Sequence, residues 1–143
     1  MATIERFEDL NAWQESRILA NEIFDMIIDN DQIRDYPFKD QINRSSGSTM
    51  DNIAEGFDRK GNKEFRQFLN IAHGSNGEVK SQQLYRALDR KYLNSDQFDK
   101  TKSRCENISK MIGGLIKYLN NTDYSGTKFM VEEPPIEYGQ NEL

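Results

Sequence analysis

A stripe of polar side chains lies along one stretch of predicted helix, and its residue types are those that bind or catalyse. Its members recur at spacings of 3 and 4 and are Gln41, Arg44, Ser48, Asn52 and Glu55. That spacing places all of them on one helical face. Ordinary surface helices carry mainly lysines and glutamates, whereas this stripe holds one Arg, one Glu, two amides and a hydroxyl. Such a stripe is either a buried hydrogen-bond network or a binding face.

The following predicted helix carries a matching stripe, Ser75, Glu78 and Gln82. Consecutive helices joined by a short turn lie antiparallel, so the two stripes are expected to meet and form a polar seam. Arg44 is then expected to face Glu78 or Gln82, and Asn52 to face Ser75. We favour a satisfied interhelical network in which Arg44 is buried and bonded to a Glu. An exposed Arg44 without a partner would instead indicate a ligand or nucleic-acid binding face.

Catalytic chemistry has little support among these residues. Glu55 and Glu78 are the one carboxylate pair that resembles a general acid and base. The single histidine, His73, is not part of a Glu-x-x-His motif, so a carboxylate-bridged di-iron centre is not expected. The single cysteine, Cys105, excludes a disulfide within the chain and a cysteine cage for a metal. We therefore predict no catalytic residue, metal ligand, cofactor or small-molecule substrate, and a protein that is not an enzyme.

The charge is distributed unevenly along the chain. The net charge is −5, but residues 1–58 carry −8 and residues 59–104 carry +6. The basic segment 59–104 holds Arg59, Lys60, Lys63, Arg66, Lys80, Arg86, Arg90, Lys91, Lys100, Lys102 and Arg104. It is a solvated face, a surface that contacts the phosphates of RNA or DNA, or a subunit contact. In the last case the acidic first hairpin of one subunit meets the basic segment of the next, which closes a ring or extends a fibre.

Hydrophobic periodicity predicts an all-α fold, an up-down-up-down antiparallel four-helix bundle. The helices are expected at about residues 9–29, 38–58, 62–91 and 95–121, with Asp9 capping the first. The third is expected to continue through Gly74 and Gly77 because its apolar phase does not slip. On the fourth, a 3-4 alternation predicts a core face of Phe98, Thr101, Cys105, Ile108, Ile112, Leu115 and Leu119.

The bundle is expected to span residues 1–121, and residues 122–143 to form an irregular, acidic tail that is extended or disordered. Phe129, Val131 and Tyr138 of this tail are candidates to lie along a groove or on a neighbouring subunit. No stretch approaches the roughly 20 apolar residues of a membrane span. With a single cysteine and no signal peptide, a reducing, cytoplasmic setting is expected.

Three stretches together carry a family resemblance: FEDLNAWQ, QINRSSGSTMDNIAEG and EFRQFLNIAHGSNGEVKSQ. The chain resembles, over about residues 7–120, the four-helix bundle proteins encoded in 23S rRNA intervening sequences. The resemblance implies a bacterial, cytoplasmic bundle that assembles as a homopentamer and whose biochemical function is not established. The family pattern includes the whole first stripe and Ile53, Ala54 and Gly56. In the third helix it falls on Phe68, Ala72, Gly74, Ser75 and Glu78.

The chain is similar also to the accessory variability determinant of diversity-generating retroelements, a basic pentameric barrel that binds nucleic acid and a reverse transcriptase. The acidic total charge of this chain departs from that relative. The expected function is therefore a homo-oligomeric interaction or scaffold protein, a cyclic pentamer with itself as its partner. The alternative is an RNA- or DNA-binding accessory protein that uses the basic segment 59–104.

Overall fold

The computed structural model describes residues 3–122 and 130–135. Within these residues, a 3-10 turn at Phe7–Asp9 precedes four long helices. We name as α1 the helix Asn11–Ile23 with the π-helical turn Phe24–Ile28, and as α2 the helix Tyr36–Asp58. The third helix, α3, comprises Asn62–Glu78, a π-helical turn Val79–Gln83 and Leu84–Asp89, and α4 is Ser95–Asn121.

The four helices pack as the predicted antiparallel bundle. α1 contacts α2 and α4, and α3 also contacts α2 and α4, so α1 and α3 lie diagonally opposite. Consequently the side of the bundle formed by α2 and α3 faces away from the side formed by α1 and α4. All seven residues predicted for the core face of α4 are buried, which confirms its 3-4 pattern.

Polar groups fix the helix ends. The Asp35 carboxylate accepts from the backbone N–H of Phe38, which starts α2 two residues earlier than predicted. Asn94 and Gln97 form a reciprocal capping box at the start of α4. The predicted Asp9 cap of α1 is wrong. The Glu133 carboxylate caps α1 instead, accepting from the N–H groups of Asn11 at 2.6 Å and Ala12 at 3.0 Å.

Residues 130–135 lie against the bundle. The Ile4 N–H donates to the Val131 carbonyl over 2.7 Å, and the Val131 side chain is fully buried. Val131 therefore lies in a groove of its own chain, one of the two places predicted for it. Phe129, Tyr138 and most of the predicted tail lie outside the described residues.

α3 continues through Gly74 and Gly77, as predicted. Its π-helical turn follows, where the Leu84 N–H donates to the Val79 carbonyl five residues back. Such turns insert one extra residue and are frequent at functional sites. No helix of residues 3–122 is both long and apolar enough to span a membrane.

Candidate binding face on α2 and α3

Two hydrogen bonds set the register between α2 and α3. The Ser48 and Ser75 hydroxyls lie 2.9 Å apart, and the Ser45 hydroxyl donates to the Glu78 carboxylate over 3.1 Å. The prediction that Asn52 faces Ser75 is wrong. Its amide turns back along α2 and donates to the Ser48 carbonyl at 2.8 Å and hydroxyl at 2.9 Å. The predicted polar seam between α2 and α3 therefore exists, but Ser48, and not Asn52, contacts Ser75 at its centre.

The buried part of the seam consists of residues that the sequence analysis missed. The Gln83 amide donates to the Ser45 hydroxyl over 3.0 Å, and both side chains are buried. The predicted Gln82 is exposed, because the extra residue of the π-helical turn brings Gln83 inward in its place. A sequence pattern of period 3.6 gives no sign of such a turn. The Gln83 carbonyl oxygen has no partner among the described residues.

The prediction for Arg44 is wrong. Arg44 is exposed, and within the described residues it forms no hydrogen bond and no ion pair. Its neighbour Ser45 faces α3, and one residue turns a helix by about 100°, which directs Arg44 outward. Glu55 pairs instead with Arg59 on its own helix at 2.9 Å, and Glu78 bonds Ser45. Hydroxyls, amides and the Glu78 carboxylate form the contacts of the seam, and Arg44 takes no part in them.

The two candidate carboxylates are far apart. Glu78 bonds Ser45, whereas Glu55 lies ten residues further along α2. At 1.5 Å per residue this separates them by roughly 15 Å along the helix. A single reacting group could not contact both. Among the described residues, no group of three His, Cys, Asp or Glu side chains is placed to hold a metal ion.

The solvent side of the seam forms a shallow surface, which we call the outer face. It consists of Gln41, Arg44, Ser48, Asn52, Glu55, Ile71, Ser75, Glu78 and Gln82. Ile71 is 53% exposed in its middle, beside the exposed Gly74. A Cβ built on Gly74 would meet no atom of the described residues within 4 Å. Small residues at the centre leave room for another chain to approach closely.

The basic segment does not form one patch. Arg59, Lys60, Lys63 and Arg66 lie around the α2–α3 turn, whereas Arg86, Arg90, Lys91 and Lys100 lie around the α3–α4 turn. Lys63 and Arg90 are 27 positions apart in the chain, which separates the two ends by roughly 40 Å. Besides Arg59, two arginines of the basic segment form ion pairs within the chain. Arg90 pairs with Asp35 at 3.0 Å, and Arg104 pairs with Glu22 at 2.9 Å.

Arg104 joins the acidic and basic parts of one chain. Its guanidinium contacts both Glu15 and Glu22 and so ties α4 to α1. Arg104 belongs to the basic segment 59–104, for which the sequence leaves open a solvated face, a nucleic-acid surface or a subunit contact. Its carboxylate partners Glu15 and Glu22 are seven residues apart and so share one face of α1, but this spacing does not show which basic residue they contact.

Cys105 lies on α4, in the buried core of the bundle. Burial raises the pKa of its thiol to about 12. The Asn76 amide, also buried, donates to the Cys105 carbonyl at 2.8 Å and to the Ser109 hydroxyl at 2.9 Å. Asn76 thus ties α3 to α4, while His73 is exposed on α3. The thiol is a neutral core group.

The architecture is that of a helical bundle with a polar seam between its second and third helices. The family model of the 23S rRNA-intervening sequence protein matches residues 8–114. The chain belongs to this family, which confirms the resemblance found in the sequence. No curated protein matches the chain.

One solved structure with the same fold is a protein of unknown function from the S23 ribosomal protein family of Bacteroides thetaiotaomicron. It aligns with a TM-score of 0.66 at 22% identity, covering 74% of this chain and 98% of the other. At this identity the similarity establishes the fold alone.

Proposed function

We propose that this chain is a non-enzymatic, homo-oligomeric interaction or scaffold protein, and that its outer face is a subunit contact. The observation that carries the proposal is Arg44, which is exposed and has no partner within residues 3–122 and 130–135, on a face whose central polar groups are bonded to one another. Arg44 and the half-exposed Ile71 lie on the same surface, to either side of the Ser48–Ser75 contact. Protein interfaces combine apolar contacts with a polar rim in this way.

The opposite side of the bundle offers a complementary surface. α1 exposes Ile18 by 42% and Phe24 by 45%. Asn21 lies between them along the helix, and Asp25 directly follows Phe24. Both are exposed, and Asp25 has no partner among the described residues. We call these four residues the α1 face. Among the described residues, the α1 face offers one unpaired acid and two exposed apolar side chains. The outer face offers one unpaired base, Arg44, and one exposed apolar side chain, Ile71.

Because the two faces differ and lie on opposite sides, their contact would be heterologous. A heterologous contact closes into a ring when the rotation between subunits permits it. Five subunits is the ring size that the family resemblance implies. In this arrangement Arg44 meets an acid of the next subunit's α1 face, which replaces the predicted contact between the acidic hairpin and the basic segment.

The test is the mass of the particle in solution, measured by light scattering at low and at high ionic strength. The wild-type chain is expected to form one closed oligomer that high salt weakens. Arg44→Glu is expected to be a folded monomer by circular dichroism. Lys117→Glu, which makes the same charge change at an exposed site of α4 on neither face, is the matched control. A wild-type monomer at both ionic strengths would overturn the proposal.

Nucleic-acid binding through the whole basic segment 59–104 is the alternative. The two ends of that segment lie roughly 40 Å apart, and three of its arginines are ion-paired within the described residues. A continuous phosphate-binding track along one subunit therefore has less support than assembly. The experiment that separates the two functions is RNA binding at two salt concentrations, since phosphate contacts lose affinity steeply with salt.

A further inference from the structure

An open cavity lies between the π-helical turn of α3 and the first half of α4. Its volume is about 340 Å³, and it is lined by Lys80, Ser81, Tyr85, Lys102 and Glu106. This volume is within the range of small-ligand sites. The cavity shares no residue with the outer face or the α1 face.

Two lysines, Lys80 and Lys102, line this cavity. Within the described residues, neither Lys80 nor Lys102 forms an ion pair, although Glu106 lines the same cavity. The nearby Arg104, by contrast, is held by two carboxylates. Interaction with the Tyr85 hydroxyl raises the pKa of Lys102.

An exposed aromatic ring forms one wall. Tyr85 is 42% exposed, and the Lys102 ammonium lies 5.4 Å from its ring centroid. Phe98 packs edge-on against the Tyr85 ring, with the centroids 5.0 Å apart, and so supports it from below. Lysine side chains are flexible, so Lys102 can leave the ring for a stronger anionic partner and free the face for stacking.

The π-helical turn creates this arrangement. Lys80 and Tyr85 are five residues apart, which in an α-helix would direct them to different sides. The Leu84 N–H to Val79 carbonyl bond closes a turn of five residues, so residues five apart come to lie one above the other. A structural irregularity that costs helix stability thus brings a cation and an aromatic ring to the same cavity.

From these contacts we propose that the cavity binds a nucleotide, with its phosphate between Lys80 and Lys102 and its base against Tyr85. Ammonium groups and hydroxyls are donors suited to phosphate oxygens, and bases stack on aromatic side chains irrespective of sequence. A free mononucleotide and one unit of a single strand share this chemistry. The site does not depend on the assembly proposed above.

The test is isothermal titration calorimetry of the full chain with AMP, adenosine, inorganic phosphate and a four-residue oligoadenylate. AMP or the oligomer is expected to bind more tightly than phosphate or adenosine alone. Binding of AMP identifies a free nucleotide as a sufficient ligand, and binding of the oligomer alone identifies a strand. Either result supports the site, and binding of neither overturns it.

Variants locate the site. Lys80→Gln combined with Lys102→Gln is expected to weaken binding roughly tenfold or more, because two charge-assisted contacts are lost. Lys63→Gln with Lys100→Gln, which removes the same charge from exposed sites of the same two helices, is the matched control. Tyr85→Leu should weaken AMP binding and leave phosphate binding unchanged. Equal affinity for AMP in the double variant and its control would overturn the assignment.

Discussion

The Ser48 and Ser75 hydroxyls lie 2.9 Å apart where α2 and α3 cross the middle of the outer face. Two serines there allow the helices to approach closely, with the larger Arg44 and Ile71 to either side on the same surface. This contact joins the two helices through uncharged groups and does not involve Arg44. The arginine is consequently available to a partner, which is the basis of the proposed subunit contact.

Ser45 is the residue of the seam whose loss should cost most stability. Ser45→Ala removes the partner of both Gln83 and Glu78, and it leaves the buried Gln83 amide without a hydrogen bond. An unsatisfied buried group costs about 1–3 kcal/mol. Ser48→Ala, at a half-buried site, should cost about 1 kcal/mol or less. Urea unfolding of the two variants measures the difference, and equal losses would show that the Gln83 contact carries no weight.

Gly56 sets the spacing between the carboxyl end of α2 and the start of α3. A Cβ there would lie 2.5 Å from the Phe68 Cβ, which the backbone fixes in place. We expect Gly56→Ala to destabilise the fold by about 1–3 kcal/mol, because the helices must move apart.

Gly113→Ala is the control for this prediction. No atom of the described part of the chain lies within 4 Å of a Cβ built there, so the variant should gain up to about 1 kcal/mol from helix propensity. Thermal unfolding midpoints should move in opposite directions for the two variants. A shift in the same direction would contradict the close-approach role of Gly56.

The Cys105 thiol should be unreactive in the folded chain and should link stability to alkaline pH. Its pKa rises from 9.0 to about 12 on folding. Above pH 9 the unfolded chain loses the proton that the folded chain retains, so the free energy of unfolding falls as pH rises. The slope approaches about 1.4 kcal/mol per pH unit.

Cys105→Val removes this contribution, so comparing its unfolding free energy with that of the wild type between pH 8 and roughly pH 10.5 isolates the effect of the thiol. The two curves should diverge as pH rises, with the wild type falling faster. Thiol labelling offers a second measurement, because the chain has a single cysteine. Rapid labelling under native conditions would contradict a buried, neutral thiol.

Sequence reasoning predicted the fold well because burial follows helical periodicity. The seven apolar or small residues predicted for the core face of α4 are all buried, and the breaks between helices fall at the predicted turns. Periodicity averages over many residues, so one irregular turn does not change it.

The details of the site depended on single residues, which periodicity does not resolve. Arg44 and Ser45 are adjacent and both polar, so a shift of about 100° decides which of them faces α3. The extra residue of the π-helical turn buries Gln83 and leaves the predicted Gln82 exposed. The Glu133 cap and the Arg104 contacts join residues far apart in the chain, and a single sequence gives no register for them.

In the proposed assembly, the outer face of one subunit contacts the α1 face of the next. Two variants, each blocked on one face, test it: Ile71→Asp with Arg44→Glu, and Ile18→Asp with Phe24→Asp. Each keeps one intact face, and all four positions are exposed, so both chains should fold.

The decisive measurement is the mass of an equal mixture of these two variants by light scattering. Each variant alone should be a monomer, and the mixture should form a dimer that cannot grow, because only one pair of intact faces remains. A mixture that stays monomeric although the wild type assembles, or either variant assembling alone as the wild type does, would contradict the account.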